Sequence, residues 1–386
     1  MSKVDLNDFK FDGLEHAVIE DLSSIEADEK EQLIMAGVDV DSTEVSATFM
    51  QVDHSNVHCG SNDKDVEVMD IKKALEKYDG LPEYYFNLID KDKDEITRNA
   101  AENLHGGYFV RTKKGAKIEK PVQSCLFLKA ENSGQNIHNI VVVEENSELH
   151  IITGCAAAHE KFSGGHFGLS EIYVKKGGKL TFTMVHNWGE NTVVRPSTMG
   201  VVEEGGTLIN NYVLMKKVKD LMSYPTIFLN GEGSVARFNS VLVAPEGSHI
   251  DTGTRIIQNA PNTKAETISR TITTGGTIIS RGHIQGNHVP ARGHIECQGL
   301  ILGGGRIHAV PELEGTVEGV ELSHEAAVGK IAQEEIEYLM ARGMDEDEAT
   351  STIVRGFLNV DIMGLPEKLQ KEIDKQIEEL DASDAM

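Results

Sequence analysis

Apolar positions in the first hundred residues recur at three and four: Leu14, Val18, Ile19, Leu22 and Ile25 share a side, while Asp21, Glu26 and Asp28 lie opposite. That is the helical period. Ile71 to Tyr78 and Glu95 to Leu104 have the same texture, so residues 1–105 are expected to form a mainly helical region. From about Gly106 the pattern changes to short β-branched runs between Gly, Asn and Ser, which are strand and turn signals. A boundary is expected there.

One unit then repeats: Val143-Glu-Glu-Asn-Ser-Glu-Leu149, Val174-Lys-Lys-Gly-Gly-Lys-Leu180, Val202-Glu-Glu-Gly-Gly-Thr-Leu208 and, more loosely, Leu229-Asn-Gly-Glu-Gly-Ser-Val235. Each reads as strand, tight turn, strand. Successive starts are 31, 28 and 27 residues apart, a spacing at which stacked coils cover one another's apolar faces. The expected fold is therefore mainly β, a solenoid over residues 106–322; a β-sandwich is the alternative that closely spaced turns also permit. Residues 323–386 turn helical again. Ile331, Ile336, Leu339 and Met340 form one stripe ending at Arg342-Gly343, and Asp345 to Glu348 open a second helix whose apolar face is Ile353, Val354, Phe357 and Leu358. Gly364-Leu-Pro366 ends it, and a polar helix over 367–380 is expected to follow.

Charge narrows the possible partners. The 386 residues carry 62 acids and 37 bases, a net −25, which argues against tracking bare nucleic acid. From Ile331 onward fifteen acids face five bases, a pattern that a solvated surface explains. No run approaches the length of a membrane span, and the opening residues lack a signal pattern, so the expected location is the cytoplasm with no membrane partner. Cys59, Cys125, Cys155 and Cys297 are too sparse for a disulfide framework.

Several chemistries are weak on inspection. No Gly-x-x-x-x-Gly-Lys-Ser/Thr run is present, so ATP hydrolysis is not expected of this chain alone, and Gly303-Gly-Gly305 reads as a turn. Asp90 to Asp94 begin like a calcium loop, but Glu95 replaces the required glycine and Ala101 the closing glutamate. His54, His58 and Cys59 would hold zinc on a helix if a fourth ligand came from elsewhere; a surface loop is the plainer account. Cys125 and Cys155 sit in apolar strand contexts and read as small core residues. In Arg292-Gly-His-Ile-Glu-Cys-Gln-Gly299 strand alternation groups Ile295, Cys297 and Gly299 on one face and His294 with Glu296 on the other, so His294 and Cys297 should not chelate together. His324 and Glu325, where solenoid and helices are expected to meet, read as a capping pair or as metal ligands.

Ordered motifs identify a relationship. Ser323-His-Glu-Ala-Ala-Val-Gly-Lys-Ile331, Tyr338-Leu-Met-Ala-Arg-Gly343, Glu346-Asp-Glu-Ala349 and Ile353-Val-Arg-Gly-Phe357 closely resemble the C-terminal signature of the SufB/SufD iron–sulfur cluster assembly proteins. The run from His105 to Gln123 resembles the start of that family's core, and His186-Asn-Trp188 its Gln-Asn-Trp. The resemblance spans about His105 to Leu365. It implies a right-handed parallel β-helix flanked by helical ends, and a scaffold for a nascent iron–sulfur cluster. It also implies a SufC-type ABC ATPase partner docked on the C-terminal helices.

By the same resemblance, Cys297 and Glu325 match cluster-assembly residues of SufB-type members, and His324 matches the histidine that SufD-type members contribute at the subunit interface. One chain carrying all three implies a homodimer, with a SufB/SufD-like heterodimer as the other arrangement. Thiolate suits iron and sulfide, and imidazole with carboxylate would hold iron loosely enough to release a cluster. Ser323 departs from the acidic residue common there in SufB-type members. Two further readings compete: a SufD-like structural partner without its own cluster, and a solenoid hydrolase or lyase acting on acidic sugars, which the lack of a basic cleft weakens.

Overall fold

A computed structural model describes residues 4–12, 15–41 and 44–358. It is mainly β, a β-solenoid of about eight turns with a few helices towards its ends. Two long sheets face one another, and the repeated units are its coils. Val143, Val174, Val202 and Leu229 stand side by side in parallel register in one sheet. Leu149, Leu180, Leu208 and Ala236 do the same in the other. All eight are buried in one continuous core between the sheets. Each coil therefore covers the apolar edge its neighbour leaves, and no single repeat has a core of its own.

The corner between the columns explains the glycines. Asn146, Gly177, Gly205 and Gly233 have φ of 57°, 66°, 63° and 70°, in the left-handed region where a β-carbon is costly and asparagine is tolerated. The amide of each donates to the next coil: Asn146 to Lys176, Gly177 to Glu204, Gly205 to Glu232 and Gly233 to Pro261, at 2.8–2.9 Å. The turn thus continues the sheets' hydrogen-bond ladder around the corner.

The N-terminal region departs from the expected helical character. Ile71–Lys77 and Glu95–Glu102 are helices as the pattern predicts, and Ala27–Met35 is another. Within 15–25, however, the only helical turn is the 3-10 turn Leu22–Ser24. Leu22 and Ile25 pack with Leu33, Ala36 and Val38 onto Cys125, Phe127 and Ala156, on the outside of the solenoid. Three strands also lie in this region. Ala47–Val52 runs parallel to Val122–Leu128 and Ser55–Ser61 folds back on it antiparallel, closing that end of one sheet. Val66–Asp70 pairs antiparallel with Tyr108–Thr112 at the same end of the other.

The opposite end is corrected too. The solenoid does not stop at residue 322, because Glu321–Gly329 is a strand parallel to Ala291–Ile301. Helices Gln333–Met340 and Glu346–Leu358 follow. Val354 and Leu358 pack on Val185, Val213, Val241, Val243 and Ile272, outside the sheet, which accounts for the apolar face predicted there. The helix expected over 367–380 lies outside the described residues.

Candidate functional site

Strand alternation places the site residues. Ile295 and Cys297 point into the core from Ala291–Ile301, while His294, Glu296 and Gln298 point outward. Cys297 is 2% exposed. Within its sheet it lies between Ser269, one coil back, and Ala326, one coil on. Ser280 reaches across from the facing sheet, its hydroxyl 4.0 Å from Cys297 Sγ and 3.1 Å from Ser269 Oγ. Burial pushes the thiol above its ordinary pKa, and the Ser280 hydroxyl offsets this only in part, so the sulfur is held as thiol at neutral pH.

His324 and Glu325 belong to the last strand rather than to a helix start. In parallel register His324 stands beside Ile295 and so faces inward, while Glu325 stands beside Glu296 and faces outward. A capping pair is excluded by that alternation. His324 is exposed although it faces inward, because no further coil among the described residues covers it. On the outer face Arg270 donates to Glu296 at 2.7 Å, Gln298 donates to the same carboxylate at 2.9 Å, and His294 pairs with Ser323 at 2.9 Å. One chain therefore brings His324 to the face of Cys297, one coil further on, and leaves Glu325 on the other side. Among the described residues no group of three His, Cys, Asp or Glu could hold a metal ion.

The N-terminal candidates are separated. His58 and Cys59 alternate along Ser55–Ser61, and His54 sits in the turn before it. A backbone carbonyl accounts for each: His54 with Gly134 at 2.9 Å, His58 with Ile19 at 2.9 Å, and Cys59 donating to Val68 at 3.5 Å. The His54 ring stacks on His105 at 3.6 Å, and burial lowers both pKa values, that of His105 to about 4. Cys125 and Cys155 are buried as expected, with thiols raised by burial.

A set inside the solenoid has weak sequence signals. His186 shares a 2.9 Å hydrogen bond with the Tyr212 hydroxyl, and His166 one of 2.9 Å with Gln135. Both rings lean on Trp188, with centroids 5.3 and 4.9 Å away, and the Trp188 indole N–H has no partner among the described residues. Burial drives His166 to about 3 and His186 well down, so both are neutral. His186-Asn-Trp188 stands out only by resemblance, and His166 in its glycine-rich run gives no signal at all.

This geometry, a parallel solenoid ending in an inward histidine one coil beyond a buried cysteine, coincides with a family match. Residues 126–357 match the SufBD core domain of SUF system FeS cluster assembly. The chain belongs to the SufBD family. An iron–sulfur cluster assembly SufBD family protein of Archaeoglobus fulgidus is 49% identical over 351 residues, 91% of this chain and 94% of the relative. One from Methanothermobacter thermautotrophicus is 44% identical over 382 residues, 97% of this chain and 93% of the relative. The iron–sulfur cluster assembly protein SufB of Bacillus subtilis is 30% identical over 357 residues, 90% of this chain and 75% of the relative. SufBD membership indicates a part in iron–sulfur cluster assembly, in a family of scaffold-type proteins.

Proposed function

We propose that this chain is a scaffold subunit on which an iron–sulfur cluster is built between two copies, driven by ATP hydrolysis on a SufC-type ABC ATPase seated on the C-terminal helices. One observation carries the reading: no described residue covers the inner face of the last coil, and His324 stands on it one coil beyond Cys297. A second copy docked there supplies ligands that one chain lacks. Cys297 provides a thiolate for iron and His324 a weaker ligand on the same face, a pair suited to handing a cluster on, with Glu325 a further carboxylate ligand from the outer side of the same strand. The other end is closed by an antiparallel hairpin, so two open ends meeting about a twofold axis close the assembly at two chains. The missing phosphate-binding loop fits an ATPase partner.

Anaerobic reconstitution with iron and sulfide tests this, read by visible and Mössbauer spectra and by mass in solution. The expected result is a dimer carrying a cluster, and a Cys297→Ala protein that folds and dimerises without one. A full cluster on Cys297→Ala would remove Cys297 from the site. A SufD-like structural role is the second reading, favoured by the buried, protonated Cys297 and by the lack of a three-ligand group among the described residues. It predicts no cluster on either protein until a SufB-like partner is added.

A further inference from the structure

The wall of the solenoid has a slit. Strands Asn191–Val194 and Asp220–Ser223 pair in parallel as far as Val194 and Leu221, and pairing between the same two coils resumes only at Met199 and Thr226. Residues 195–198 thus face 222–225 without a ladder. Pro196 and Pro225, which lack an N–H, sit in the gap. Alternation from the buried Leu221 and Ile227 turns Ser223 and Pro225 inward, yet both are partly exposed. Inward residues that reach solvent mark an opening.

Behind the slit lies a chamber of about 60 Å³, room for a few water-sized groups. It extends from Pro196, Ser223 and Pro225 to Ser269 and Ser280, the two hydroxyls against Cys297. Two of its lining groups, Thr267 Oγ1 and Asn210 Oδ1, are buried without a hydrogen-bond partner among the described residues, and Thr267 is 5% exposed. Such atoms cost free energy unless something fills the space and bonds to them. Among the described residues no carboxylate lines the chamber, and Arg281, the one charged residue along it, turns its guanidinium outward to Asp251, 3.0 Å away, because Ser280 beside it faces inward. A divalent cation would find no anionic ligand. A small neutral species that both donates and accepts satisfies the hydroxyls and the amide oxygen together, and the apolar side chains of Phe182, Leu208, Ile227 and Phe238 along the same chamber disfavour a full charge.

We propose that the slit is a side port through which hydrogen sulfide, as H2S, enters the chamber and is held by the Ser269 and Ser280 hydroxyls beside Cys297. The choice of ligand rests on the cluster-assembly reading; the port and the two unsatisfied polar atoms inside it do not. Cys297 is too buried for a carrier protein to touch its sulfur, so what reaches it must be small. A partner covering the open end of the solenoid leaves the side port free.

Both tests proceed without iron, so a failed reconstitution does not decide them. Methyl methanethiosulfonate labels thiols with a group small enough for the chamber, and peptide mass spectrometry follows each cysteine separately. Ser223→Trp, which plugs one lip, is expected to slow labelling of Cys297 at least tenfold while Cys59 labels as before. An unchanged Cys297 rate would overturn the port. Thr198→Phe, on the other lip, serves if the first variant does not fold. In wild-type crystals soaked in sodium sulfide below neutral pH, where H2S predominates, an anomalous sulfur peak is expected within reach of Thr267 and Ser280. Water alone in the chamber would overturn the holding role.

Discussion

At the scale of single residues, buried histidines set the pH response. His105 and His150 are lowered to about 4 and His166 to about 3, in each case chiefly by burial. Their folded pKa values lie below the ordinary 6.5, so the unfolded chain binds more protons between those limits. The stabilisation is complete above about pH 6.5 and is lost as pH falls towards 4, at most about 3 kcal/mol each for His105 and His150. Urea midpoints measured from pH 7 to pH 4.5 should fall steadily, and a flat profile would contradict neutral burial. Cys297 shows what a sequence can say at this scale. Alternation alone set it apart from His294, and the structure agrees. Its contact with Ser280 joins two facing sheets, and local sequence carries no trace of that pairing.

At the scale of elements, the corner turns carry the register. Gly205 has φ 63° with open space around it, so Gly205→Ala meets only backbone strain, about 1 kcal/mol. A β-carbon on Gly231 would lie 1.8 Å from the Glu204 amide nitrogen in the neighbouring coil, and backbone cannot swing aside. Gly231→Ala should therefore cost several times more, roughly 3 kcal/mol or beyond, seen as the larger drop in melting temperature. Equal drops would show that the coils shift apart freely. The same turns were readable in the sequence because left-handed backbone selects Gly and Asn locally. The helical period misled for the complementary reason: an irregular segment draped over a sheet buries Leu22 and Ile25 three positions apart without being a helix, and it leaves Val18 exposed.

At the scale of the whole molecule, the two ends differ. One is closed by the Ala47–Ser61 hairpin, and the other exposes the strands Arg306–Gly315 and Glu321–Gly329. Leu313 and Leu322 lie partly buried on that open inner face. Leu313→Asp with Leu322→Lys should convert a dimer to monomer in light scattering while circular dichroism stays unchanged, and a dimer that survives would place the interface elsewhere. Among the described residues no helix is long and apolar enough to cross a membrane.

The sequence by itself determined the coil. Repeat spacing, β-branched runs and left-handed corner residues are local demands of stacked parallel strands, and the motifs after Ser323 pointed to the SufBD family. Only the tertiary structure decided where the solenoid ends, that His324 faces inward and Glu325 outward, and that Pro196 and Pro225 open a slit in one wall. These depend on which coil lies beside which, and residues some thirty positions apart become neighbours only when the coils stack.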